Sequence, residues 1–117
     1  MNVGIDIVKI DRIKFLMEEN TRLDKIFTKQ EQDYAKGYES LAEHLAGMFA
    51  VKEAVAKALK TGFRDGLCPK DIEVLHDKNG APMVVYSEKL KLFLGERKVD
   101  ISISHEKDIA TAICIIY

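Results

Sequence analysis

Residues 40–60 read SLAEHLAGMFAVKEAVAKALK, and this segment is predicted to form the longest helix and the centre of the fold. Ser40 and Glu43 have the spacing of a capping box at its start. The helix is expected to run to about Lys60 and to stop at Gly62, a typical C-terminal cap. At about 100° per residue, apolar or small side chains cover nearly its whole circumference. Such a helix is buried on almost every side, so the other elements should pack around it.

Charged side chains interrupt this apolar surface in one narrow stripe. Glu53, Lys57 and Lys60 form the stripe, while Lys52 projects near the middle of the apolar face. One interpretation is a surface pair between Glu53 and Lys57 at i, i+4, with Lys52 extending its ammonium group to water. The alternative is that a mostly buried helix carries these charges to bind ions, using a carboxylate for a metal and ammonium groups for phosphates. The helix alone leaves both interpretations open.

Two more polar residues stand in unusual places. Asp6 interrupts the apolar first strand, and His105 follows an alternating strand where the chain turns. Mg²⁺ is typically held by one or two carboxylates, water and substrate phosphate oxygens, so Asp6 and Glu53 together are candidate ligands. Taken singly, Asp6 also fits an exposed position on the wet face of its strand. His105, taken singly, also fits a turn histidine bonded to the backbone.

The flanking segments predict an α+β fold, with helices packed on one face of a small, mostly antiparallel sheet. Period-two alternation and an Asn-Gly turn predict strands at residues 3–8, 71–76, 82–87, 99–104 and from 109 onward. Three further helices are predicted behind the candidate N-caps Asp11, Thr28 and Ser87. No linker or repeat interrupts the chain, so one domain spanning residues 1–117 is expected.

Composition argues against several classes of protein. The chain is 47% hydrophobic and 32% charged, which is enough apolar surface for a core and argues against disorder. A net charge of -1 argues against a general nucleic-acid binder. No apolar run approaches the roughly 20 residues of a membrane span, and the N-terminus lacks the pattern of a signal peptide. Cys68 and Cys114 allow one disulfide on paper, but two reduced, buried thiols in a cytoplasmic chain are favoured.

Three separated motifs resemble those of a single family. Gly4-Ile5-Asp6 is similar to its Gly-x-Asp strand, and Ser104-His105 to its closing Ser-His motif. Residues 49–54, FAVKEA, are similar to its Phe/Trp-x-x-Lys-Glu-Ala helix, with Lys57 at the family spacing. Phe27-Thr28-x-x-Glu31 and Asn79-Gly80-x-Pro82 also fit. The family is holo-acyl-carrier-protein synthase, the short type of 4′-phosphopantetheinyl transferase, and the resemblance covers essentially the whole chain. For Thr28 and Glu31 a capping box remains a sufficient explanation.

The resemblance implies an enzyme and its chemistry. Such enzymes transfer the 4′-phosphopantetheine group of coenzyme A to a serine of apo-acyl carrier protein and release adenosine 3′,5′-bisphosphate. They require Mg²⁺, for which Mn²⁺ often substitutes. They act in the cytoplasm in fatty acid biosynthesis, a branch of lipid metabolism. Their small α+β protomers assemble as homotrimers with an active site at each subunit interface, and neither nucleic acid nor a membrane is a partner.

The resemblance also implies roles for individual residues. Asp6 and Glu53 are expected to hold the metal, and Lys57 and His105 complete the expected catalytic set. Coenzyme A is expected to contact a second, overlapping set, namely Lys52, Lys57, Ser104 and His105, although Lys52 could instead orient Glu53. Arg12 matches a family position that contacts the carrier, and with Lys14 and Arg22 it is expected to form a basic patch for the acidic carrier protein. Ordinary solvated charges remain the alternative explanation of these residues. The proton of the attacking serine is expected to go to Glu53 or to a metal-bound water steered by a carboxylate.

Two departures from the family pattern concern the 3′-phosphate of coenzyme A. Many members have Arg where this chain has Met48, and a small hydroxyl residue where it has Glu106. They predict a rearranged or weaker 3′-phosphate site, served by Lys107 or Lys60. Two other classes of protein stay open as alternatives. One is a degenerate homologue that binds carrier protein or nucleotide without turnover, and the other is an unrelated α+β binding module with these charges on its surface.

Overall fold

The computed structural model describes the backbone of residues 1–117 and all side chains except those of residues 20 and 21. The elements in chain order are β1 (Asn2–Lys9), α1 (Ile10–Glu18), α2 (Asn20–Ile26), α3 (Lys29–Lys36), α4 (Leu41–Ala58), a 3-10 turn (Pro69–Asp71), β2 (Ile72–His76), β3 (Pro82–Tyr86), α5 (Glu88–Leu94), β4 (Val99–His105) and β5 (Ile109–Ile116). The predicted α+β class is confirmed. Among the described helices, none has both the length and the apolar character that crossing a membrane requires.

Two antiparallel sheets flank α4. One has the strand order β1-β5-β4, and the other is the β2–β3 hairpin. In the three-stranded sheet, Ala112 at the centre pairs with Asp6 on one side and Ile103 on the other. Because successive side chains alternate between faces, Asp6 shares the α4-facing side of β1 with the buried Val8. The apolar row of β1 therefore lies on the opposite, open face, where Ile5 is 62% exposed.

Most of the 18 residues of α4 are buried, as the periodicity predicts. Two glycines let the helix approach the three-stranded sheet closely. A Cβ atom on Gly4 would lie 1.9 Å from the Ala54 carbonyl oxygen, and one on Gly47 would lie 3.0 Å from Ile103. The C-terminal half of α4 thus packs on β1 and its N-terminal half on β4. This crossing decides which functional side chains meet.

The predicted N-caps are confirmed for α3 and α5 and are wrong for α1 and α4. Thr28 and Glu31 form the predicted capping box of α3, and the Ser87 hydroxyl accepts from the Leu90 N–H at the start of α5. The prediction for Ser40 is wrong, since its side chain makes no cap bond and its hydroxyl instead lies 3.2 Å from His44 Nδ1. Asp11 is not an N-cap either, because Lys9 occupies that position and α1 begins at Ile10.

The remaining differences are at element ends. Helix α4 stops at Ala58, earlier than predicted, because Lys60 adopts a φ of 66°. Gly62 also has a positive φ, and its N–H donates to the Ala56 carbonyl. The α2 helix is not predicted from the sequence. Cys68 and Cys114 are free thiols, as predicted, but only Cys114 is buried; the prediction that both are buried is wrong for Cys68, which is exposed.

Candidate active site

Three of the predicted catalytic side chains meet where α4 crosses β1. Lys57 Nζ lies 3.0 Å from Asp6 Oδ1 and donates to the Ile5 carbonyl at the same distance. The Asp6 side chain is 14% exposed, whereas that of Lys57 is 54% exposed. Glu53 precedes Lys57 by one helical turn and is half-buried. We call Asp6, Glu53 and Lys57 the acidic cluster.

The acidic cluster has the electrostatics of a cation site. Burial raises the pKa of Glu53, and the neighbouring Asp6 carboxylate raises it further, while Arg12 and Lys57 act in the opposite direction. Two carboxylates that repel each other in a half-buried position become more favourable when a cation lies between them. The acidic cluster is therefore more favourable with a bound cation than in the chain alone.

The donor set indicates which kind of cation fits. In the part of the chain that the structure describes, no three His, Cys, Asp or Glu side chains are placed to enclose a metal ion. The acidic cluster thus offers two carboxylates and leaves other positions to water and substrate. Mg²⁺ is typically held in this way, with one or two carboxylates and the phosphate oxygens of a substrate. The residues present fit Mg²⁺, and Mn²⁺ has the same preference for oxygen ligands.

Lys52 does not belong to the acidic cluster, which corrects the prediction that it contacts coenzyme A. Its side chain is 0% exposed. Its ammonium group donates to Glu31 Oε1 at 2.9 Å, and to the carbonyls of Pro69 at 2.9 Å and Ile72 at 2.7 Å. An ammonium group has three N–H donors, so Lys52 has none left for a phosphate.

Glu31 does more than the capping box requires. It is fully buried, and besides capping α3 and pairing with Lys52 it accepts the Val74 N–H through Oε2 at 2.8 Å. One carboxylate therefore ties α3, α4 and β2 together. The sequence carried a signal for this pair, because Lys52 on an apolar helix face needs a buried partner of opposite charge.

His105 lies apart from the acidic cluster, in a second depression. It lines a cavity of about 200 Å³ between α3, α4, the β2–β3 hairpin and β4, together with His44, His76, Tyr34 and Glu43. These are the three histidines of the chain, and we call the cavity the histidine pocket. His44 and His76 were not predicted as site residues, because only the packing of the hairpin against the helices brings them together.

Ser104 and His105 point to opposite sides of the sheet. Ser104 pairs with Thr111, and His105 pairs with Ala110. Ala110 is buried on the α4 side, so Ser104 lies on the open face with the apolar row of β1. Within one chain, the structure does not bring Ser104, His105 and the acidic cluster into a single site.

The predicted basic patch is partly assembled. Arg12 and Arg22 line a groove of about 600 Å³ together with Lys25, Phe15 and Phe49. The Arg12 guanidinium lies 5.1 Å from the centre of the Phe49 ring. Lys14 is not among the lining residues, and its ammonium group lies 4.0 Å from Asp11. Lys25 was missed by the sequence analysis. We call this depression the basic groove.

The open face of the three-stranded sheet is apolar. Val3, Ile5 and Ile7 on β1 are 58%, 62% and 65% exposed, and Ile113 on β5 is 37% exposed. The three large side chains on β1 are neighbours on the same face, so they form a continuous apolar patch rather than isolated exposed residues. Patches of this kind mark surfaces that are covered by another molecule.

Comparison with known proteins identifies the family of this chain. Residues 2–114 match the family model of the 4′-phosphopantetheinyl transferase superfamily. A holo-[acyl-carrier-protein] synthase of Caldicellulosiruptor bescii is 44% identical over 117 residues, which cover 97% of this chain and 95% of that protein.

Solved structures agree as well. A holo-(acyl-carrier-protein) synthase of Bacillus anthracis in complex with CoA (3′,5′-ADP) has a TM-score of 0.84 at 36% identity, covering 98% of this chain and 94% of that one. The holo-[acyl-carrier-protein] synthase of Helicobacter pylori in complex with coenzyme A has a TM-score of 0.87 at 29% identity, covering 98% and 99%. The chain therefore belongs to the 4′-phosphopantetheinyl transferase superfamily and, within it, to the holo-[acyl-carrier-protein] synthases.

Proposed function

We propose that this chain transfers the 4′-phosphopantetheine group of coenzyme A to a serine of apo-acyl carrier protein. The reaction requires Mg²⁺ or Mn²⁺ and releases adenosine 3′,5′-bisphosphate. We place it in the cytoplasm, in fatty acid biosynthesis. The observation that carries the proposal is the acidic cluster, where Lys57 lies 3.0 Å from Asp6 and the Asp6 charge acts on Glu53. The complexes of the two solved relatives with coenzyme A or 3′,5′-ADP support the choice of donor.

The proposed chemistry is a phosphoryl transfer. The serine oxygen bonds to the phosphorus that carries the pantetheine arm, and the bond from that phosphorus to the bridging oxygen breaks. Catalysis of such reactions is mainly positioning and charge neutralisation. A bound cation supplies neutralisation at the pyrophosphate oxygens, and Asp6 and Glu53 are the residues that would hold it.

Lys57 and Glu53 have further tasks in this scheme. The Lys57 ammonium group is half exposed, and among the described residues it donates to Asp6 and the Ile5 carbonyl, so it can turn one N–H towards a phosphate oxygen. The proton of the serine hydroxyl needs an acceptor within hydrogen-bond reach. We assign it to a water oriented by Glu53, because a carboxylate engaged with a cation is a weak base.

The basic groove is the proposed docking site of the carrier protein. Acyl carrier proteins are acidic, and local positive charge steers an acidic partner even when the whole enzyme is close to neutral. Arg12 links this groove to the reaction, since its charge also acts on Glu53. Arg22 contributes from the groove wall. Lys14 lies outside the groove and would act as a peripheral steering charge.

The open sheet face is the proposed contact between subunits of a homotrimer. Ser104 lies on this face, whereas the acidic cluster lies where β1 meets α4. A site that uses Ser104, His105 and the acidic cluster together therefore needs more than one copy of the chain. This separation supports active sites at the subunit interfaces. Native mass spectrometry tests the assembly, and Ile5→Glu should produce monomers.

One assay tests the proposed reaction. Apo-acyl carrier protein is mixed with the chain, coenzyme A and Mg²⁺, and the carrier is weighed by intact-mass spectrometry. A phosphopantetheine adduct that disappears with EDTA supports the proposal. Asp6→Asn should abolish the adduct, while Glu88→Gln, which changes a carboxylate that is 94% exposed on α5, should leave it unchanged. Carrier binding without an adduct would favour the degenerate homologue instead.

A further inference from the structure

The β2–β3 hairpin forms a sheet of its own. Its strands pair with each other from Ile72 and Tyr86 to His76 and Pro82, and the other sheet consists of β1, β5 and β4. A two-stranded hairpin has little stability by itself in water, so its position depends on the groups that it contacts in the rest of the chain. The groups that hold β2 therefore also determine where the hairpin turn lies.

Two charged side chains of the helices hold the start of β2. Lys52 on α4 donates to the Ile72 carbonyl at 2.7 Å, and to the carbonyl of Pro69 in the preceding 3-10 turn at 2.9 Å. Glu31 on α3 accepts the Val74 N–H at 2.8 Å and pairs with Lys52 at 2.9 Å. Both charged side chains are 0% exposed, so water does not compete for these bonds.

Thr28 adds a third contact at the same place. Its hydroxyl donates to Glu73 Oε2 at 2.6 Å and accepts the Glu31 N–H at 3.2 Å. Among the described residues, the hydrogen bonds that join β2 to α3 and α4 are made by these three side chains. We call Thr28, Glu31 and Lys52 the hairpin anchor. It fixes the start of β2 close to the core.

The other end of the hairpin forms part of the wall of the histidine pocket. Gly80 and Pro82 line this cavity together with His76 and with His105 of β4. His76 follows Ile72 by four positions, which is about 13 Å along a strand. A change in the direction of β2 at the hairpin anchor is therefore carried to the wall of the pocket.

The contact at this far end is less directional than the hairpin anchor. The Tyr34 ring stacks on His76 with ring centres 4.0 Å apart and an angle of 5°. The buried Nδ1 of His76 has no hydrogen-bond partner among the described residues. Aromatic pairs are stable over a range of offsets, so this stack keeps the hairpin near α3 without fixing its direction.

We propose that the hairpin anchor positions the β2–β3 hairpin for coenzyme A binding, so that Lys52 and Glu31 affect the donor without touching it. This inference rests on the proposed function, which supplies coenzyme A, and on the expected contact between His105 and that donor. Lys52 has no N–H left for a phosphate, and its bonds lead to β2 rather than to the acidic cluster. It is therefore a positioning residue for the donor and not for its neighbour Glu53.

The charges of the hairpin anchor have a purpose that apolar packing does not serve. Replacing a buried ion pair by apolar side chains of similar volume often leaves stability equal or raises it. Such a replacement would, however, leave the carbonyls of Pro69 and Ile72 without their donor, and packing alone would then hold β2. Directional hydrogen bonds fix the hairpin in one position, so the pair is expected to matter more for donor affinity than for stability.

The main variant removes both buried charges together. In Lys52→Met, Glu31→Gln the fold should keep much of its stability, while the Pro69 and Ile72 carbonyls lose their donor. The KM for coenzyme A should rise by about tenfold or more, since a displacement of about 1 Å can cost up to about 100-fold. The kcat at saturating coenzyme A and Mg²⁺ should stay close to that of the wild-type chain. A loss of folded protein would instead lower kcat and leave the KM unchanged.

Ile116→Ala is the matched control for stability. Ile116 is fully buried in β5 and pairs with Val99, at the end of β4 away from His105. The cavity left by this change should lower the urea midpoint at least as much as the double variant does, without changing the KM for coenzyme A. The same rise in KM in both variants would overturn the proposal, as would an unchanged KM in the double variant.

Thr28 provides a milder pair of variants, which decides the question if the double variant does not fold. Thr28→Val removes the bond to Glu73 and should raise the KM for coenzyme A by a smaller factor. Thr28→Ser keeps the hydroxyl and should retain the wild-type KM. An anchor variant that needs more Mg²⁺ but has an unchanged KM for coenzyme A would mean that the anchor orients Glu53, and would overturn the proposal.

Calorimetry with coenzyme A measures the Kd without turnover. The Kd should rise in the double variant and in Thr28→Val, and should stay at the wild-type value in Thr28→Ser and Ile116→Ala. If the wild-type chain transfers nothing to apo-acyl carrier protein, the proposed function fails, but this comparison still decides whether the hairpin anchor sets the affinity for coenzyme A. Equal Kd values in all these variants would reject the inference even where transfer is normal.

Discussion

Two lysine–carboxylate pairs on α4 have nearly the same length and opposite roles. Lys52 lies 2.9 Å from Glu31, and Lys57 lies 3.0 Å from Asp6. Both side chains of the first pair are 0% exposed, whereas those of the second are 54% and 14% exposed. A spacing of five residues directs the two lysines to different sides of the helix. The comparison shows that an ion pair alone does not identify a functional site.

What separates the two pairs is how completely their groups are satisfied. The three N–H groups of Lys52 donate to Glu31 and to two backbone carbonyls. The Glu31 carboxylate accepts from Lys52, from the Thr28 N–H at the start of α3 and from the Val74 N–H. Lys57 and Asp6 keep part of their surface in water, next to the second carboxylate of Glu53. The saturated pair fixes structure, and the unsaturated pair is available for a ligand.

Breaking the buried pair should give the largest effect on stability. Lys52→Met leaves the Glu31 carboxylate buried without its cation, which costs about 3–5 kcal/mol. Urea unfolding at a fixed protein concentration measures this loss. The double variant Lys52→Met, Glu31→Gln should recover much of it, because Gln also completes a capping box. The matched change in the exposed pair, Lys57→Met, should cost about 1 kcal/mol or less. Equal losses in the two single variants would remove the distinction between the pairs.

Activity should respond in the opposite order. Lys57→Met should lower the rate of phosphopantetheine transfer by about 100- to 1,000-fold, as expected when one group that stabilises transition-state charge is removed. The intact-mass assay with apo-carrier protein measures the rate, and circular dichroism checks the fold. A transfer rate near that of the unchanged chain would mean that Lys57 does not contact the phosphates. Glu88→Gln on α5 is the control for a general effect of changing surface charge.

The sequence predicted the exposed pair better than the buried one. Asp6 and Glu53 each interrupt an apolar segment, and the resemblance joins them to one function, so the structure brings together residues that the sequence already singled out. Lys52 was equally conspicuous, but its partner Glu31 had a sufficient explanation as a cap. Spacing within one helix does not show that two buried groups 21 residues apart in the chain, such as Glu31 and Lys52, form a pair.

The faces of the strands show a second reason why the sequence was incomplete. Alternation in β1 defines two rows, but it does not say which row α4 covers. Hydropathy alone would place the row of Val3, Ile5 and Ile7 inside, yet these side chains are exposed and the row with Gly4 and Asp6 faces the helix. The close approach of α4 at Gly4 is possible only when the row with Gly4 faces the helix, and this decides which row is covered. His44 and His76 were missed for a related reason, because their meeting depends on how the hairpin docks.

The smallest expected effect is the loss of folding stability that the acidic cluster causes when no cation is bound. Burial and Asp6 raise the pKa of Glu53 above its ordinary value of 4.5, so the ionised carboxylate is less favourable in the folded chain than in the unfolded one. This penalty is absent below the unfolded pKa and is fully present once the pH exceeds the raised folded pKa. At neutral pH with EDTA, Glu53→Gln should therefore raise the urea midpoint slightly, whereas Lys52→Met lowers it strongly.

Adding Mg²⁺ should reverse the order of the urea midpoints, so that the wild-type chain becomes more stable than Glu53→Gln. A ligand that binds only the folded state stabilises it in proportion to the logarithm of its concentration above the Kd. The wild-type chain, with both carboxylates, should gain more than Glu53→Gln, and Lys52→Met should gain as the wild type does because its acidic cluster is intact. Urea midpoints measured across a Mg²⁺ titration provide the comparison. Parallel curves for wild type and Glu53→Gln would mean that the cation is held elsewhere, and that the exposed pair is no more a ligand site than the buried one.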